Sequence, residues 1–245
     1  MKAYTTMNLS KKVILGLITS SIISCVYASE SDTSKFSGSA KLTRQQFINL
    51  NVSGKLEAES INASGIIKVS GSAQINNSQL HDLRASGSVS LYHSQIDGSL
   101  KTSGSLKISH SKLSTGEITT SGSINSDNST YLSPIKLSGK LSSELDQFDA
   151  PISSSGSIYA KNSRFRQVIN LSSNKSSWSN SSIESDIFIK SDNELFSSNI
   201  PRLTFNDTQV HGNIIFTQAK GLVILNGNSK ITGKVLNAEI QPAQN

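Results

Sequence analysis

Ser103-Gly104-Ser105-Leu106-Lys107-Ile108-Ser109-His110-Ser111-Lys112-Leu113-Ser114-Thr115-Gly116-Glu117-Ile118-Thr119 is the stretch that decides the fold. Ser103-Gly104 reads as a turn. Leu106 and Ile108 alternate with polar neighbours, which puts both on one face of a short strand. His110-Ser111 marks a second corner, and Lys112-Leu113 starts a second strand. Gly116 turns the chain again before a third strand, Glu117-Ile118-Thr119. Three short strands and three corners in so few residues describe one coil of a roughly triangular tube.

The unit recurs in both directions. Glycines fall at Gly54, Gly71, Gly87, Gly104, Gly122, Gly139 and Gly156, with spacings by subtraction of 17, 16, 17, 18, 17 and 17, and Ser173 follows another 17 on. Self-similarity at a fixed period is the signature of a repeat architecture. A second column keeps step with the first: Asn77-Ser78, His93-Ser94, His110-Ser111, Asn128-Ser129, Asn162-Ser163, Asn180-Ser181, Asp207-Thr208 and Asn228-Ser229. An apolar residue follows each pair at Leu80, Ile96, Leu113, Tyr131, Phe165, Ile183, Val210 and Ile231. Leu145-Asp146-Gln147-Phe148 keeps the apolar position but loses the serine.

The expected fold is all-β: a single-stranded β-helix, a solenoid of ~17 residues per coil and about ten coils over residues 51–237. Coils stack ~4.8 Å apart, so equivalent side chains lie over one another. Leu and Ile then fill the tube, and Asn over His over Asn, and Ser over Ser, form hydrogen-bonded ladders at a corner. The glycines are expected to supply φ > 0 at the first corner. The strict six-residue grammar of left-handed examples is missing, so the right-handed sense is preferred. Residues 29–50 are expected to cap the open core, and 238–245 to form a tail. Between Asn180-Ser181 and Asp207-Thr208 the spacing stretches to 27, which places an extra loop within Ser191–Leu203.

Composition agrees with this reading. Apolar residues are 35% and charged residues 16% of the 245, the balance being rich in Ser, Asn and Thr, which favour turns over helix interiors. The formal charge of +6 includes Lys2, Lys11 and Lys12 of the leader; setting these aside takes the basic count from 23 to 20, against 17 acids, a balance of +3. Both signs are scattered and no basic stripe alternates with aromatics, which argues against nucleic acid as a partner.

The N-terminus reads as an export signal over residues 1–28: a lysine-bearing start, an apolar run from Val13 to Ile23, and a small-residue exit at Val26-Tyr27-Ala28. The apolar run is shorter than the ~20 residues of a membrane span. Ile22-Ile23-Ser24-Cys25 offers a second outcome, lipid attachment at Cys25, which would tie the chain to a membrane. Export therefore leads to the periplasm, the outer-membrane surface or the exterior. Cys25 is the sole cysteine, so no disulfide framework forms within the chain.

No constellation points to a cofactor, a metal or catalysis. The candidate surface ladder is Asn77, His93, His110, Asn128, Asn162 and Asn180. His93 and His110 stand one coil apart in it, but a zinc site wants more protein ligands than two. His81 and His211 have no partner in register. Glu144, Asp146, Asp149 and Asp82 read as solvated carboxylates, not as a catalytic pair. Trp178, Phe188, Phe196 and Phe205 form either a carbohydrate-stacking face or, preferably, core filling.

The coil at 103–118 resembles the repeat of bactofilin-type polymer-forming proteins. The recurring Ser-Gly-Ser plus apolar residue at 86–89, 103–106, 121–124 and 155–158 is similar to the head domain of putative auto-transporter adhesins, the "head GIN" domain. The first resemblance implies end-to-end self-association, the second a cell-envelope surface module that meets a glycan or protein. Neither brings catalytic residues. Together these readings lead to an exported, non-catalytic structural or binding solenoid; a β-helix enzyme acting on envelope or extracellular polysaccharide is the alternative.

Overall fold

The computed structural model describes residues 33–190, 200–218 and 220–242. The expected leader, with Cys25, lies outside the described residues, as do 191–199 of the expected loop and Phe196 within them. The described residues contain strands and turns but no helix, and all the strand pairing is parallel. The chain is a parallel β-solenoid.

Each full coil contributes three strands, stacked in three faces. Val89–Tyr92, Leu106–Ser109 and Ile124–Asp127 are successive strands of a broad face. Gln95–Ile96, Lys112–Leu113 and Thr130–Tyr131 belong to a narrow face. Leu100–Thr102, Ile118–Thr120 and Ile135–Leu137 belong to a third face. The broad sheet holds 12 strands, so there are about twelve coils rather than ten. Both flanks supply the difference. The segment expected as a cap is solenoid already: Thr33–Phe36 pairs with Asn49–Val52, and Ala40–Thr43 with Leu56–Glu59. The expected tail also contributes a strand, Ala238–Pro242, paired with Gly221–Leu225.

Alternation sorts the side chains. Leu106 and Ile108 are buried and Lys107 is exposed, as the period of two requires. Inward residues stack by register: Val89 on Leu106 on Ile124 on Leu141 on Ile158. Full burial of one such side chain is worth about 1.5–3 kcal/mol, and every coil adds several. On the narrow face the column turns aromatic. Tyr131, Phe148 and Phe165 stack with ring centroids 4.7 Å apart at both steps. Trp178 and Phe205 are fully buried and stacked at 5.2 Å, so core filling, not a sugar-facing surface, accounts for them. Phe188 points outward on the third face.

The long spacing lengthens one coil without breaking the register. Trp178 lies beside Phe205 although 27 residues separate them, and Ile189 beside Phe216. The additional residues fall between Ile187–Ile189 and Arg202–Asn206, at the corner that glycine occupies elsewhere.

The reason for that glycine differs from the expectation. Positive φ among glycines occurs at Gly38, Gly116 and Gly227, not in the Gly54–Gly156 column. Space is the constraint there. A Cβ at Gly104 would lie 2.6 Å from the carbonyl carbon of Gly87, and one at Gly122 2.5 Å from the carbonyl oxygen of Gly104. Successive glycines sit backbone on backbone, which only a missing side chain permits.

Candidate functional site

The left-handed conformations fall in the other column, at the corner between the broad and narrow faces. Asn77, His93, His110, Asn128, Asn162 and Asn180 have φ of 50, 45, 49, 48, 52 and 47°. Asn, Asp and His tolerate this region better than most residues, which explains the composition of the row. All six are exposed. Arg44, Ser60, Leu145 and Asp207 take the same conformation. In the penultimate coil Gly227, not Asn228, occupies the position, since Asn206 pairs with Asn226.

The row is a set of separate side chains rather than a hydrogen-bonded ladder. Among the described residues no side-chain hydrogen bond joins neighbouring members of the expected six. The ladder lies one residue further on, inside the corner, and runs through buried hydroxyls. Ser78 N–H donates to Ser94 Oγ at 3.2 Å, Ser94 N–H to Ser111 Oγ at 3.1 Å, and Ser111 N–H to Ser129 Oγ at 3.1 Å. It continues from Ser163 N–H to Ser181 Oγ, from Ser181 N–H to Thr208 Oγ1 and from Thr208 N–H to Ser229 Oγ. Each hydroxyl in turn donates to a carbonyl nearby in its own coil, as Ser111 Oγ does to Ser109 O at 2.8 Å. The corner's buried N–H groups are thus satisfied along the tube, as buried backbone requires.

Asp146 stands in this inner ladder where a serine is expected, and it is 3% exposed rather than solvated. Its Oδ1 accepts from Ser129 N–H at 2.8 Å and its Oδ2 from Ser143 Oγ at 2.7 Å. Burial raises its pKa to about 6, with those hydrogen bonds opposing the rise. Ser143 Oγ and Ser163 Oγ are 3.0 Å apart, and Ser126 Oγ meets Tyr131 Oη at 2.5 Å. Burial, and then the charge of Asp146, push the Tyr131 hydroxyl well above the usual phenol range. These groups form a buried, mutually hydrogen-bonded polar cluster in the core. Asp149 pairs instead with Arg166 at 2.8 Å, Glu144 pairs with Lys161 at 3.0 Å, and Asp82 accepts from Ser99 N–H at 2.7 Å.

The outer corner is open. A groove of about 570 Å³ crosses the coils at Asn77, His93, His110 and Asn128, with Gln79, Gln95, Lys112 and Thr130 along its narrow-face side. The imidazoles of His93 and His110 lie 4.9 Å apart, tilted by 30°. Tyr92 stands edge-on to both, at 4.1 and 5.8 Å, and is 45% exposed. Among the described residues no group of three His, Cys, Asp or Glu side chains could hold a metal ion. The arrangement offers an aromatic patch flanked by amides and hydroxyls, which suits the apolar and hydroxyl faces of a sugar or a polar peptide. Tyr92 escaped the reading of the sequence, although it ends its strand on an outward position of the alternation.

No family model matches the chain, and comparison with curated proteins and with solved structures yields no match either.

Proposed function

We propose that the chain is an exported structural or binding solenoid of the bacterial cell envelope or surface, and that it acts without catalysis. The supporting observation is the preformed outer corner, where Tyr92, His93 and His110 meet on a backbone held by the buried serine ladder. Such a surface presents groups at fixed spacing and has little ordering cost on binding. A leader ending at Ala28 would release the protein, whereas lipid attachment at Cys25 would hold it at a membrane. Kinship with the bactofilin-type solenoids or with the adhesin head belongs to the same proposal.

The test is binding of the protein from residue 29 onward to isolated envelope polysaccharide, beside a Tyr92→Ala/His93→Ala/His110→Ala variant. Binding without turnover, lost in the variant, is the expected result. Polysaccharide cleavage that disappears in His93→Ala/His110→Ala would establish the enzyme instead.

A second reading, end-to-end self-association, is favoured by the last coil. Ile240 is 48% exposed there, Ile231 and Val235 are half-buried, and among the described residues the final strand, Ala238–Pro242, pairs on one side alone. Light scattering with electron microscopy over a concentration series distinguishes lengthening rods from a monomer of fixed length.

A further inference from the structure

Strand register reveals a row that the linear sequence disguises. Outward positions of the third face place Asn51, Lys68, Arg84, Lys101, Thr119 and Lys136 directly over one another. The middle three cations occupy consecutive coils, ~4.8 Å apart, and all three are exposed. Like charges directly opposite one another destabilise a sheet. Among the described residues none of the three forms an ion pair. Of the acids nearby, Asp82 accepts at Oδ1 from Ser99 N–H at 2.7 Å, and Glu117 pairs with Lys136 at 2.7 Å, leaving only a weaker, through-space attraction to Lys101. Two residues on, just past the ends of these strands, exposed Ser70, Ser86 and Ser103 form a parallel file of hydroxyl donors.

We propose that Lys68, Arg84 and Lys101 form a track for a linear acidic polysaccharide, with one carboxylate seated at each cation and the serine file donating to sugar oxygens. The row is one residue wide, so it matches a chain rather than the plane of a membrane. It contains no aromatic ring on which a nucleobase could stack. The rung spacing is comparable to the length of one sugar in an extended chain.

The protein from residue 29 onward is tested against polygalacturonate by biolayer interferometry. Release of counterions from about three contacts should lower affinity roughly 20- to 40-fold between about 50 and 200 mM salt. Lys68→Ser/Arg84→Ser/Lys101→Ser should abolish that binding, while Arg84→Lys and the broad-face variant Lys107→Ser should retain it. An unfolding midpoint in the triple variant equal to or above that of the parent shows that the solenoid is intact. The track is refuted by absence of binding at the lower salt, or by binding that the triple variant retains. Tighter binding, sensitive to the triple variant, to anionic phospholipid vesicles or to single-stranded DNA also refutes it. The proposal goes beyond the outer corner: Tyr92, His93 and His110 lie at another edge, so failure of the track leaves the corner reading standing, and the reverse.

Discussion

Two corners of each coil turn the chain by opposite means. At the glycine corner, from Gly54 to Gly156, the backbone stays outside the left-handed region, and the constraint is space: a Cβ at Gly122 would meet the Gly104 carbonyl oxygen at 2.5 Å. At the Asn/His corner the backbone is left-handed, the side chain lies on the exposed outer surface, and the following residue turns its hydroxyl inward to bind the next coil. The first corner is specified by what cannot be there. The second is specified by backbone tolerance on the outside and hydrogen bonding on the inside. The outer row of the second corner is therefore open to variation, and a binding surface can be built on it without disturbing the stack.

The largest effect is expected at the glycine corner. Gly122→Ala should destabilise the protein by about 3 kcal/mol, because backbone rather than a yielding side chain opposes the methyl group. Asn128→Gly, in the same coil, should change stability by less than about 0.5 kcal/mol, since glycine accepts φ > 0. Urea unfolding of the two variants measures both; equal losses would erase the distinction between the corners.

Asp146 sharpens the comparison from within the second corner. Its folded pKa, about 6, exceeds the reference of 3.8, so below about pH 4 the group is neutral in both states and costs nothing. Between about 4 and 6 the folded state holds the proton longer than the unfolded state, and stability falls as pH rises. Above about 6 the full penalty of roughly 3 kcal/mol applies. Asp146→Ser restores the hydroxyl of the ladder and should gain ~2–3 kcal/mol at pH 7.5, with little gain left at pH 4. The acids Glu57, Glu59 and Glu117, whose pKa values are lowered by Lys55, Asn77 and Lys136 respectively, shift stability in the opposite direction. They are common to both proteins and drop out of the difference. A gain independent of pH would mean that packing, not charge, sets the cost.

The smallest effect concerns Leu145, a left-handed residue of the outer row that is 54% exposed. Leu145→Asn should stabilise by about 0.5–1 kcal/mol, because asparagine visits this region at lower cost. Thermal unfolding at pH 4 isolates that term from the charge on Asp146.

Much of this was legible in the chain itself. The register of Gly54–Gly156, the inward column from Leu80 to Val210 and the polar corner column follow from a period near 17 and strand alternation, both local properties. The first and last coils lie outside the expected 51–237 span for different reasons: Ser37-Gly38-Ser39 introduces Ala40–Thr43 just as it does in later coils, 16 residues before Gly54, whereas no Ser-Gly precedes Ala238–Pro242. Sequence shows which residues share a column, Asn over His and Ser over Ser, but not which way each side chain turns, and that decides that the serines bond from coil to coil while the outer residues do not. Likewise the cation row is spaced by 16 and 17 residues at Lys68, Arg84 and Lys101, so charge scattered along the chain becomes a file only when coils stack.

The repeat, the faces and the division between core and surface depend on the identity of residues at fixed intervals, so they can be read along the chain. The tertiary structure decided why glycine is needed at one corner and asparagine or histidine at the other. It also decided that Asp146 is buried and that three cations align. Those outcomes depend on distances between coils, and such distances exist only once one coil lies on the next.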